Sequence, residues 1–371
     1  MNSLKKLLLT TLIIITFLCP SLIAVEPLKP VVQTSLPSSF SWRDIDGIDY
    51  TTPIKDQSPA PTCETYALCA ALETIMQYET GELYVPDLSE THLYFYAGGT
   101  YEAGGVNVHD AADYLVEYGV PDEGCYPDPH RPFDYPYTSV EGWEERTVKI
   151  TEWGWVQQDE ESIKQALIEY GPLTICIFVY EDMYDYDGGI YRRSTENRVG
   201  GHLVSLMGYD DGTQSWLVKN SWGTQWGDNG WFHMGYDPDM FIDGCYGGET
   251  GIIYIDGIYG NLKPDVPKIN IETPTIFHSY IFNKGFPQIL RNIPKIQKAA
   301  PRIIGPITVS VHAENTEKIE FYVDGILQYT DEEGPFEYYF KPSQGLHIIE
   351  TIAYDADNEV SRDIIDIYSI L

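Results

Sequence analysis

The chain has 371 residues, 43% of them hydrophobic, which is enough apolar material for ordinary globular cores in two or three domains. With 56 acidic against 23 basic residues, its formal charge of −33 argues against nucleic acid as a partner and disfavours an anionic membrane surface. The dispersed acidity fits a saline or cation-rich setting or a highly soluble exported protein.

In chain order, Met1 to Ala24 carries Lys5 and Lys6, then the apolar run LLLTTLIIITFL and a small residue at its exit, the pattern of a secretory signal peptide. The competing reading is a retained anchor, but the run is short for a span of roughly 20 residues. Residues 25–37 form a short N-terminal extension. From Thr62 to about Tyr78, ALCAALETIMQY spaces its apolar residues at helical intervals behind a Thr that could cap it. A second helix is expected in DAADYLVEYG, ending at Gly119, and VPDEGCYPDPHRPFDYPY reads as a long ordered loop. From Thr147 the chain turns to strands, with one more helix in EESIKQALIEYG. Past Gly257 the composition becomes proline-spaced and richer in lysine, and residues 258–300 read as a linker in which KINIETP could be a first strand. Over 301–371, ITVSVHA, KIEFYVDG, FEYYF and HIIETIAYDADN alternate between turn residues, which argues for an antiparallel β-sandwich.

Five cysteines follow the leader, an odd number that leaves at least one thiol free or intermolecular in an exported protein. Cys69 and Cys176 read as buried hydrophobes, and Cys125 could pair with Cys245. Cys63 opens the first helix, where the dipole lowers a thiol pKa. A thiol needs a neighbouring base to become the attacking thiolate, and His202, in GHLVSLMGYD, would supply it. Asn220, in NSWGTQWGDNGW, could hold the imidazole in one tautomer, while Gln57 and the Cys63 amide could serve a developing oxyanion. Each also has a plain structural reading: Cys63 as a small buried hydrophobe, His202 as a satisfied core histidine, Asn220 and Gln57 as turn and loop residues. The remaining histidines show no metal-ligand spacing, so no metal and no other cofactor is expected.

At these residues the sequence resembles the papain family of cysteine peptidases. FSWRDIDG with TPIKDQ, LSETHL, EAGGVNVHDAADYLVEYGV, GPLTICI, YDGGIY, the His202 strand and KNSWGTQWGDNGW match its motifs in order over residues 38–256. The resemblance implies an α+β, papain-like two-lobe fold, a helical lobe and a β-barrel-like lobe over 38–257, with Cys63 facing His202 across the cleft. It implies Cys63, His202 and Asn220 as the catalytic triad and Gln57 with Cys63 as the oxyanion hole. Trp222 would shield the His–Asn bond, and Gly104, Gly105, Gly201 and Trp226 would line the substrate cleft. The family's pro-segment is far longer than residues 25–37, so folding without such a segment is expected.

Three residues depart from the family pattern around the nucleophile. Ala60 removes half of a family disulfide, Pro61 replaces a glycine, and Glu64 replaces an aromatic residue. A carboxylate suits a helix's first turn but disfavours thiolate if it faces the sulfur. The 301–371 region, with EFYVDG and AYDADN, resembles bacterial and archaeal immunoglobulin-like modules and implies a spacer or stability module, with a surface or glycan contact as the alternative. The expected function is a secreted or cell-surface cysteine endopeptidase acting on proteins or peptides, with no membrane span once the signal is removed. The alternative is a catalytically weak or inactive papain-like binding or adhesion protein; an acyl transferase would need only a different acceptor.

Overall fold

The computed structural model describes residues 35–81, 86–100, 104–128, 138–244, 250–260, 266–276, 278–287 and 300–370. The expected signal peptide, most of the short extension, Cys245 and part of the Pro-Tyr loop lie outside these residues. Among the described residues no helix is long and apolar enough to cross a membrane.

Helix α1, Cys63–Thr80, is buried on every side from Cys63 to Gln77. A helix that hides its whole circumference belongs inside a fold rather than on it. Gly81 ends it in the left-handed conformation at φ 70°, its N–H reaching Gln77 O, a backbone state that favours glycine. Its start differs from expectation. Thr62 makes no side-chain cap, and the helix instead opens on backbone bonds from Thr65 and Tyr66 to Thr62 O. Helices α2, Glu90–Tyr96, and α3, Val108–Glu117, pack beside α1 around one core containing Leu68, Leu72, Leu93, Ala111 and Leu115. Ser89 caps α2 by accepting from His92 N.

The second lobe is an eight-stranded sheet around Leu173–Tyr180 and Arg198–Asp210, which pair antiparallel. Ser215–Lys219 pairs with the second of these and Trp231–Gly235 follows it. Helix α4, Glu160–Glu169, covers a separate core built on Leu167, Leu173, Leu206, Trp216 and Phe232. The two helices expected in DAADYLVEYG and EESIKQALIEYG are thus present, within a residue or two of their expected ends.

From Lys268 onward the described chain is all β. Lys268–Thr273, Ile307–Glu314 and Phe336–Phe340 form a three-stranded sheet, so KINIET is a strand as anticipated. A seven-stranded sheet runs from Lys284–Pro287 to Ile326–Asp331, and one cluster joins Val309, Ile271 and Phe340 of the first sheet to Phe321, Ile349 and Ile365 of the second. The pairing is not wholly antiparallel: His278–Ile281 runs parallel to Arg302–Ile304, and that strand runs parallel to Val360–Ser369. This region is seated on the helical lobe. Arg146, 4% exposed, forks onto Asp122 at 2.8 and 2.5 Å and also donates to Val360 O and Ser361 Oγ. Arg362 reaches Thr138 O in return.

His92 of α2 is fully buried in an aromatic box, its ring 4.1 Å from Tyr96, 5.5 Å from Tyr126 and 4.5 Å from Trp143, and among the described residues neither ring nitrogen has a hydrogen-bond partner. Burial lowers its pKa from 6.5 to about 3. Between those values the unfolded chain binds a proton that the folded chain refuses, so stability present above pH 6.5 is lost as pH falls. His92→Phe is expected to move the acid-unfolding midpoint down by about half a pH unit. Tryptophan fluorescence during acid titration would measure this, and an unmoved midpoint would refute it.

Candidate active site

The first turn of α1 brings Cys63, 7% exposed, against the Arg198–Asp210 strand. The amide N–H of Leu203, the residue after His202, donates to Cys63 Sγ. On the same strand His202 is 4% exposed, and its Nε2 lies 2.8 Å from Asn220 Oδ1. The backbone N–H of Ser221 donates to that Oδ1 at 2.8 Å, which identifies it as the amide oxygen. An oxygen only accepts here, so Nε2 carries the proton and Nδ1 is the acceptor that can take one from a thiol. Burial lowers the His202 pKa from 6.5 to about 4, against a smaller upward pull from Asn220. The imidazole therefore rests neutral, in the state a general base requires.

Trp222 stacks on the His202 ring at 4.7 Å and 22°. Tyr184 stacks on Trp222 at 5.6 Å and 18°, so three near-parallel rings gather beside the His–Asn bond. Tyr184 carried no signal in the sequence, because the short 3-10 turn Glu181–Asp185 that presents it has no periodic pattern. Trp226 meets Trp222 edge-on at 5.0 Å and donates Nε1–H to Met183 O. Gln57 is fixed at both ends of its amide: Oε1 accepts from Ser221 Oγ at 2.7 Å, and Nε2 donates to Ala60 O at 3.0 Å. One Nε2 hydrogen is left for an oxyanion.

Gly104 and Gly105 have φ of 32° and 142°, and the Gly105 N–H donates to the hydroxyl of Tyr94, which shares a core cluster with Cys63. Gly201 is exposed, and a Cβ there would meet Ile242 Cδ1 at 3.0 Å.

Three expectations are overturned. Cys125 is a free buried thiol, so it does not pair with Cys245; its Sγ faces Asp122 Oδ2 at 3.6 Å. Cys176, read as a plain hydrophobe, is disulfide-bonded to a partner outside the described residues. Cys69 is a free buried cysteine, as expected. The helix N-terminus also does not lower the Cys63 pKa overall. Burial pushes the thiol well up, and Glu64, 0% exposed, adds to this with its charge.

Asn220 also borders a small cavity lined by Lys55, Glu73, Glu90, Ser205 and Lys219. Lys55 Nζ contacts Glu73 at 2.9 Å, Glu90 at 2.7 Å and Asp87 at 2.8 Å. Glu73 accepts from Thr52 Oγ1 at 2.6 Å, and Thr52 in turn accepts from Lys219 Nζ at 2.7 Å. Because Lys219 precedes Asn220, this network ties the helical lobe to the strand that delivers the Asn220 amide. Among the described residues, no group of His, Cys, Asp and Glu is arranged to hold a metal ion.

Residues 36–249 match the family described as "Papain family cysteine protease". A cathepsin L-like peptidase of Aedes aegypti is 32% identical over 56% of this chain and 61% of its own length. Cysteine proteinase 2 of Entamoeba histolytica is 32% identical over 59% of this chain and 70% of its own. Among solved structures, xylellain, a cysteine protease from Xylella fastidiosa, superposes with a TM-score of 0.50 at 22% identity, over 60% of this chain and 87% of that one. The chain thus spans about three fifths of the mosquito relative, and the sandwich from Lys268 onward lies beyond the family match.

Proposed function

Because the chain belongs to the papain family of cysteine proteases, we propose that it is an exported cysteine-type endopeptidase whose nucleophile is Cys63. His202 Nδ1 takes the thiol proton as sulfur attacks the peptide carbonyl, and the Cys63 N–H with Gln57 Nε2 receives the oxyanion. Collapse expels the amine, which His202 protonates, and water then hydrolyses the thioester with His202 again as base. Asn220 keeps Nε2 as the donor throughout, and the Trp222–Tyr184 stack keeps water off that bond. The C-terminal sandwich serves as an immunoglobulin-like spacer or stabilising module. The observation that carries the reading is the His202–Asn220 bond with its oxygen fixed by Ser221, beside a sulfur held by the Leu203 amide.

One feature favours the weaker reading, a papain-like binding protein: burial, with the Glu64 charge beside it, favours the protonated thiol. Labelling of the chain with an epoxysuccinyl probe across pH decides between them, with Cys63→Ala as the blank. The proposal expects one probe per chain and a loss of rate of about a hundredfold or more in His202→Ala. Labelling no faster than an ordinary thiol, with no cleavage of unfolded protein, would leave the binding reading.

A further inference from the structure

One cation stands apart on the strand that carries His202. The chain has 56 acidic and 23 basic residues, and neighbouring Arg193 is held by Glu196, Asp237 and Asp239. Arg198 is exposed and, among the described residues, has no carboxylate partner. It is nevertheless fixed. Its guanidinium carbon lies 3.8 Å from the centre of the Phe178 ring and 5.8 Å from that of Tyr180, and Nε donates to the Tyr180 hydroxyl at 3.2 Å. Neither Nη group makes a hydrogen bond among the described residues, so the outer half of the fork is open.

The strand register shows where that fork sits. Leu203 is buried in the same cluster as Cys63 and Cys176, so this face of the strand looks toward the nucleophile helix. Side chains alternate, which puts Gly201 on the same face. Gly201 pairs with Phe178, Gly200 with Val179 and, after an irregularity, Arg198 with Tyr180. Phe178 therefore lies across from the residue preceding His202, with the guanidinium over its ring. Gly201 is exposed and adds no side chain to that face, and Val199, also exposed, stands between Gly200 and Arg198. The face that buries Leu203 in the Cys63 cluster thus continues past Gly201 toward a pre-oriented cation.

We propose that Arg198 is a specificity-determining residue that receives a carboxylate of the substrate peptide a few residues from the scissile bond. The inference rests on the peptidase reading. The planar fork matches a carboxylate through two parallel hydrogen bonds, and stacking on Phe178 removes much of the entropy that would otherwise be lost on binding. Two sources present this chemistry, an Asp or Glu side chain and a free C-terminus.

The test uses the full chain and fluorogenic peptides carrying Glu, Gln or Lys at each position within four of the cleaved bond, each made as free acid and as amide. The wild-type protein is expected to prefer Glu over Gln at one position by about five- to tenfold in kcat/KM, with the preference shrinking at high salt. Arg198→Gln should bring that ratio to near one, Arg198→Glu should turn it toward Lys, and Arg198→Lys should retain part of it. Arg192→Gln, a nearby exposed arginine, should leave the ratio as it was. A preference that follows free acid over amide assigns the carboxylate to the C-terminus; one that follows Glu assigns it to a side chain. Fluorescence anisotropy of the same peptides on the Cys63→Ala chain reads the ratio without turnover. An absence of cleavage therefore defeats the peptidase reading while the binding ratio still judges Arg198. Equal Glu and Gln values in the wild-type protein, or equal losses for both in Arg198→Gln, overturn the inference.

Discussion

Lys55→Met is expected to destabilise the peptidase region by about 3–5 kcal/mol, because it strands charge rather than removing a surface contact. Glu73 and Glu90 are 1% and 3% exposed at their side chains, and Lys55 Nζ bridges them while also reaching Leu88 O. Without it, two buried carboxylates face each other with only Lys219, through Thr52, to offset them. Burial already holds the Glu90 carboxyl up at about 8 against the downward pull of Lys55, and removing that cation raises it further. A group so raised keeps its contribution below the unfolded pKa and loses it as pH rises through the folded one, so the deficit should be small near pH 4 and grow as pH increases. All 8 tryptophans lie between Trp42 and Trp231, so their fluorescence in urea follows this region and not the sandwich. Adding Glu73→Gln and Glu90→Gln to Lys55→Met should recover much of the loss. A deficit under about 1 kcal/mol at every pH would mean that the network behaves like an exposed ion pair.

Lys55 and Glu90 lie within TPIKDQ and LSETHL, runs whose order points to the fold but whose partnership no spacing reveals. Such contacts join residues far apart in sequence. The candidate residues Cys63, His202 and Asn220 stood out for the opposite reason: each sits in a local run of distinct composition, and the structure brings His202 and Asn220 together with Cys63 beside Leu203. Helix α1 was legible from apolar spacing, whereas its cap was not, since a Thr before a helix need not turn its hydroxyl inward. Disulfide pairing was out of reach because it depends on a separation in space that sequence spacing does not encode. In the sandwich, alternation marked the strands and their buried faces but not their direction, which is why the parallel pairings of Arg302–Ile304 were not anticipated. His278–Ile281 and Lys284–Pro287 escaped notice inside a proline-spaced, lysine-bearing stretch that reads as linker.

Glu64→Gln is expected to raise the rate at which iodoacetamide alkylates Cys63 at pH 7 by about tenfold. The sequence left the direction of this side chain open, and its direction decides the sign. The carboxylate is buried beside the thiol and its negative charge disfavours a second one on sulfur, so it stabilises S–H and opposes S⁻. Glutamine keeps the size and can still hydrogen-bond while removing the charge. At partly buried separations a unit charge contributes a few kcal/mol, so losing it should lower the thiol pKa by roughly two units and raise the thiolate fraction about a hundredfold. A less basic thiolate is also a poorer nucleophile, with a Brønsted slope near 0.5, which returns about tenfold of that gain. Burial remains the larger cause of the raised pKa, so the variant should still titrate above an ordinary cysteine. The pH–rate profile of alkylation separates the cases. A limb shifted to lower pH with an unchanged plateau shape identifies Glu64 as a brake on the nucleophile. A slower rate at all pH values would instead make Glu64 a base that takes the Cys63 proton, and the one-base mechanism through His202 would have to be abandoned.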